Sequence, residues 1–111
     1  MASNQQAVWR LQSPDGTLIA ELRETSFDMP WIEADVTKGA AWEEYADLLA
    51  AFTRATERAE ETDDWSEADR LYEEVRSKTV LFDPTGTDVP EYLLHTDGKT
   101  ASWRWADEPF D

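Results

Sequence analysis

The apolar residues of this chain change period twice. From Ala40 to Lys78 they recur every three or four positions, through Trp42, Tyr45, Leu48, Leu49, Phe52, Ala55 and Ala59, then Trp65, Ala68, Leu71, Tyr72 and Val75. On either side they alternate every second residue. A 3.6-residue period lines one stripe of a helix and a period of two lines one face of a strand. The chain must therefore place a helical middle between two blocks of strands. The spacing predicts helices over roughly Ala40 to Glu60 and Trp65 to Lys78. Asp64 is a candidate cap for the second, with Glu67 as its reciprocal partner. The linker EETDD has neither Gly nor Pro, so one long bent helix is the alternative to a hairpin. A helix of about 39 residues would run about 60 Å and leave its stripe uncovered, which favours the hairpin.

The first strand block begins with AVWRLQ, turns at SPDGT and returns as TLIAELR. Pairing Leu11 with Leu18, Trp9 with Ala20 and Ala7 with Leu22 makes one face apolar, though a loop with a bulge slips that register. In ETSFDMPWIEADV, Pro30 favours an extended or turned backbone. Phe27, Met29 and Trp31 fall there in a turn-like segment, where they either plug the open end of the sheet or touch a partner. Ile32, Ala34 and Val36 then alternate as a third strand. After the helices, TVLF is a short strand whose edge has little charge protection and suits pairing across a dimer. Asp97-Gly98 predicts a two-residue type I′ hairpin. That turn sets Leu94 opposite Ala101, Tyr92 opposite Trp103 and Glu91 opposite Arg104, with His95 facing Thr100 on the side away from the core. The expected fold class is α+β, an antiparallel sheet of about five to six strands with a two-helix hairpin packed on one face, in the order βββ-αα-βββ. The 111 residues fit a single domain, with residues 1–6 expected to be disordered.

Charge narrows the function. Twenty-five acidic residues oppose ten Lys and Arg, a net charge of -15. Direct binding to nucleic-acid phosphates needs clustered cations, and anionic membrane surfaces repel such a chain. No apolar run nears the ~20 residues of a membrane span, and the first residues lack a signal-peptide pattern. With no cysteine there is no disulfide or thiolate metal site. A cytoplasmic location is expected. The acidic residues concentrate from Glu43 to Glu74, without the spacing of a calcium loop. They form either a solvated helical face or a docking surface for a basic partner.

Two short stretches invite chemistry. VLFDPTGTD resembles the phosphorylated-aspartate motif of haloacid dehalogenases and P-type ATPases, which implies Asp83 as a nucleophile. Pro84 stands where the ATPases carry a lysine, and the residues that follow read as a hairpin rather than the rest of such a domain. DPTGTD is equally a turn. His95 is the chain's one histidine. A general base needs a pocket and an orienting acid, which its neighbours in sequence do not supply, so a structural or partner-contacting role is expected.

PDG in the first hairpin, DMPW, the acidic middle and LLHTDGKTASWRW together resemble a group of small acidic actinobacterial proteins ending in Leu-His-x-Asp-Gly-x-x-Ala-x-x-Arg. The matching positions are Pro14, Asp15, Gly16, Asp28, Pro30, Trp31, His95, Asp97, Gly98 and Arg104. The resemblance implies a source and no activity.

These features together predict a non-enzymatic binding protein, immunity- or inhibitor-like, monomeric or homodimeric, with no cofactor, metal or catalytic residue. Its partner-binding residues are expected among Glu57, Glu60, Glu61, Asp63, Asp64, Trp31 and His95. The alternative is a small-molecule-binding protein or enzyme, with a pocket between sheet and helices lined by Trp9, Trp42, Trp103 and Trp105; core packing is the ordinary role of such rings.

Overall fold

In a computed structural model the chain is described over residues 7–28 and 31–106. Its elements are β1 (Val8–Gln12), β2 (Leu18–Asp28), β3 (Trp31–Lys38), α1 (Trp42–Thr62), α2 (Ser66–Lys78), β4 (Val80–Phe82), β5 (Glu91–Thr96) and β6 (Thr100–Ala106). The six strands form one antiparallel sheet in the order β4-β1-β2-β3-β6-β5, curled nearly into a barrel. The expected α+β order βββ-αα-βββ is thus the fold. The alternating residues Trp9, Leu11, Leu22, Ile32, Ala34, Leu94 and Trp103 share a buried core with Leu49, Phe52 and Ala59 of α1 and Leu71 and Val75 of α2. Among the described residues, no helix is long and apolar enough to cross a membrane.

The helical region is a hairpin. Asp63 ends α1 in the left-handed region (φ 62°), where its N–H reaches the Ala59 carbonyl. Aspartate tolerates that conformation better than most residues, so the chain reverses without glycine. The expected capping box does not form. Asp64 accepts from the Ser66 N–H at 3.2 Å and hydroxyl at 2.8 Å, while Glu67 turns to Arg58 at 2.8 Å.

Both hairpin registers differ from expectation by two residues. Trp9 pairs with Leu22 and Leu11 with Ala20, with a bulge before Gln12. Leu94 pairs with Trp103, Tyr92 with Trp105 and His95 with Ser102. Side-chain acceptors inside the turns explain the slips. Ser13 Oγ accepts from the Thr17 N–H at 3.2 Å, and the loop closes through Ser13 N–H to Thr17 O at 2.9 Å. Asp97 Oδ1 accepts from the N–H groups of Lys99 at 2.9 Å and Thr100 at 2.8 Å, so the loop is wider than a two-residue type I′ turn. A slip of two keeps every side chain on its face. It does remove the expected Glu91–Arg104 opposition: Glu91 lies across from Ala106 and pairs with Arg76 at 2.8 Å.

The segment after β4 repeats the first loop. Asp83 N–H donates to Thr87 O and Gly86 N–H to Asp83 O, both at 2.9 Å, as Ser13 and Gly16 do in SPDGT. The returning chain bridges Phe82 to Asp88, and Val89 N–H reaches Leu81 O at 2.8 Å. The outer edge of β4 is therefore partly covered, which works against the dimer pairing suggested for TVLF. β2 runs to Asp28 and β3 begins at Trp31, so Phe27 and Trp31 lie on strands. Phe27 is 61% exposed and plugs nothing. Met29 and residues 1–6, on which expectations were placed, lie outside the described residues.

Candidate functional site

Alternation along β5 puts His95 on the face opposite Leu94, as expected. That face is not bare, because α1 packs onto it. The His95 ring centroid lies 5.2 Å from Phe52 and 5.9 Å from Trp31, the latter stacked at 24°. Nε2 is 3.2 Å from Thr56 Oγ1. The Thr56 hydroxyl donates to Phe52 O at 3.0 Å, so its one hydrogen is committed and it accepts from His95. This network assigns the proton to Nε2 and leaves Nδ1 as the basic nitrogen.

On the adjacent strand Ser102 faces His95, and one strand further Glu33 faces Ser102, on one row across β5, β6 and β3. A bulge between Glu24 and Ser26 in β2 adds Thr25 to the same place, and bulges re-aim side chains in this way. The result is an open groove of about 320 Å3, walled by Thr25, Glu33, Thr53, His95, Asp97 and Ser102. A second groove of about 470 Å3, with Glu57, Asp47 and Lys38 on its walls, adjoins it across the Asp97-Gly98 turn. Thr53 joins the two: its hydroxyl accepts the Thr96 N–H of edge strand β5 at 3.1 Å.

The structure thus gathers four of the seven expected residues. Trp31 and His95 touch, and Glu57 and Glu60 lie close enough to act on the imidazole. Glu61, Asp63 and Asp64 lie at the helical corner, where Asp63 and Asp64 build the turn itself. The sequence reading missed Thr25, Glu33, Thr53 and Ser102. Alternation from His95 would have found Ser102 and Glu33; the Thr25 bulge has no sequence signature.

Burial pushes the His95 pKa below its ordinary value, and the charges of Glu60 and Glu57 oppose that without reversing it. The folded state therefore holds this proton less tightly than the unfolded chain does. Stability should fall as pH drops from about 6.5 through the lowered value, because the unfolded state gains the proton first. Thermal unfolding between pH 7.5 and 4.5 should show that slope, and His95→Gln should flatten it. Parallel slopes for both proteins would refute the assignment. A separate loss belongs below about pH 4, where Asp15, Asp64, Asp83 and Asp97, all held low by hydrogen bonds, gain protons.

The other chemical candidates have structural work. Asp83 Oδ1 accepts from the Thr85 hydroxyl at 2.6 Å and the N–H groups of Thr85 and Thr87 at 2.9 and 3.0 Å; its carboxylate closes its own loop. Glu91 accepts from the Tyr72 hydroxyl and Arg76, clamping α2 to β5. Burial first, and then that carboxylate, push the Tyr72 phenol far up. Trp9, Trp42 and Trp103 are buried in the core, and Trp105 is 41% exposed beside Trp9. Trp9 and Trp103 fill space rather than line it. Among the described residues, no three His, Asp or Glu are placed to hold a metal.

No family model, curated protein or solved structure matches the chain. Neither resemblance read from its motifs gains support from them.

Proposed function

We propose that this protein is a non-enzymatic binder that presents α1 and the His95 groove to a basic partner, in the manner of an inhibitor or immunity protein covering a cationic site. The observation that carries this reading is the groove's composition. Its walls hold Glu33, Asp97 and a series of hydroxyls, and among the described residues none lining it is a lysine or arginine. The exposed acids Glu57 and Glu60 continue the same acceptor-rich surface along α1. Of the nearby cations, Arg58 is paired with Glu67 and Lys38 lies over the Trp42 ring, while Arg54 shares the wall of the second groove with Glu57. A surface of this kind speeds encounter with cations and makes association salt-sensitive.

Net charge alone would also attract cations, so the test separates position from charge. An oligo-arginine peptide is titrated by tryptophan fluorescence at low and moderate salt. Reversing Glu57 and Glu60 to lysine should weaken binding about tenfold, some 1.4 kcal/mol. Reversing Glu43 and Glu44, equal in charge but in the first turn of α1, should weaken it far less. Equal losses from the two pairs would reduce the effect to bulk charge and sink the proposal.

A further inference from the structure

We propose that the His95 groove is a socket for a single guanidinium group, an arginine side chain of the partner, held between Nδ1 of His95 and the carboxylate of Glu33, and that protonating His95 empties it. This deepens the reading above and rests on it.

Three features point to this occupant. The first is the fixed imidazole. Nε2 is committed to Thr56, and the Thr56 hydrogen to Phe52 O, while Phe52 and Trp31 hold the ring from the sides. Nδ1 makes no hydrogen bond to the described residues, so a rigid neutral acceptor edges the groove. The second is the opposing acceptor. Glu33 stands on the same row with only Ser102 between, so the two Cβ atoms are about 10 Å apart at ordinary strand spacing. Glu33 Oε1 accepts from the Ser26 hydroxyl of β2 at 2.8 Å, which leaves Oε2 to accept from one flat group with donors on opposite edges. The third is the chemistry of that group. A guanidinium offers five N–H donors in a plane and stacks against aromatic rings, whereas an ammonium is a compact, strongly hydrated point charge.

The switch follows from the same geometry. A protonated imidazole donates from both nitrogens, so Nδ1 can no longer accept and the socket gains a like charge. The charged groups around His95 are Glu91 and Asp97 on β5 and its turn, Arg104 on β6, Glu33 on β3, and Glu57 and Glu60 on α1. These carboxylates hold a cation near the surface at any neutral pH. Only the imidazole changes its role between neutral and mildly acidic conditions.

The intact protein tests this with N-acetyl-arginine amide as the probe and N-acetyl-lysine amide as its control. With one histidine in the chain, the His95 ring resonances are unambiguous in NMR. At pH 7.5 the arginine amide should shift them saturably, with the lysine amide several-fold weaker. Affinity should fall about tenfold when His95 is protonated, the loss of roughly one charge-assisted contact. Glu33→Gln should weaken the arginine amide several-fold, and Ser102→Lys, which puts an ammonium on the groove floor, should abolish its binding. Oligo-arginine binding through Glu57 and Glu60 should survive Glu33→Gln. If the arginine amide leaves the ring unmoved while oligo-arginine still binds, the socket is wrong and the acidic face stands. Equal shifts from the two amides, or an affinity indifferent to pH, would also overturn the socket.

Discussion

Trp103→Ala should cost about 3–5 kcal/mol, a large share of the roughly 5–15 kcal/mol that holds a domain folded. The indole is fully buried, with Ile32 and Leu94 as its cross-strand neighbours and Trp9 edge-on at 5.4 Å. Trp103→Phe should behave differently. Nε1 of Trp103 has no hydrogen-bond partner among the described residues, and an unsatisfied buried donor costs about 1–3 kcal/mol. Phenylalanine removes that donor while keeping an aromatic ring against Trp9, so the two effects partly cancel and the net loss should stay near 1 kcal/mol. Urea unfolding of both variants decides the matter. Equal losses would mean that the indole N–H has a partner after all.

The faces of the sheet were legible because a period of two survives any register slip of two. The alternation therefore puts Trp9, Leu22, Leu94 and Trp103 on the core face, although each has a hairpin partner two residues from the one that the turn predicts. The registers were not legible because Ser13 and Asp97 set them through their own side chains. An Asp-Gly pair reads the same whether its carboxylate is idle or is accepting the N–H groups of Lys99 and Thr100. Asp83 carries the same ambiguity: a carboxylate closing a loop and a nucleophile share one short motif, and only the three donors around Oδ1 tell them apart.

The groove was half legible. His95, Trp31, Glu57 and Glu60 each stood out as a residue type, but their convergence depends on α1 crossing the far face of β5, a tertiary fact. Phe52 looked like an ordinary member of a helical stripe, and nothing in the spacing singled out Thr56. Glu61, Asp63 and Asp64 looked identical to Glu57 and Glu60 by charge. Glu61 is in the last turn of α1, and the left-handed turn at Asp63 puts Asp63 and Asp64 at the corner between the helices.

Gly39→Ala should be the most disruptive change at a surface position that charge and exposure leave unremarked. A Cβ there would sit 2.4 Å from the Leu18 carbonyl oxygen and 2.8 Å from both its carbon and the Leu18 Cγ. The side-chain carbon can move aside; the carbonyl cannot. Leu18 O accepts the Ala41 N–H at 2.9 Å, and Gly39 N–H donates to Ile19 O at 2.8 Å, so the start of β2 and the start of α1 are locked through this point. Overpacking typically costs about 1–3 kcal/mol, and breaking either backbone bond adds about 0.5–1.5 kcal/mol. The effect should reach the groove, because α1 carries Phe52 and Thr56 over His95 and is anchored here. Gly39→Ala should therefore lower the melting temperature by about 10 °C or more and move the His95 ring resonances in the same sample. Gly16→Ala is the matched control. It strains a left-handed glycine (φ 91°) but meets nothing within 4 Å, so it should cost only about 1 kcal/mol and leave the His95 resonances in place. A Gly39→Ala protein with native stability, or one destabilised with an unshifted His95, would show that the β3–α1 junction does not hold the helix over the groove.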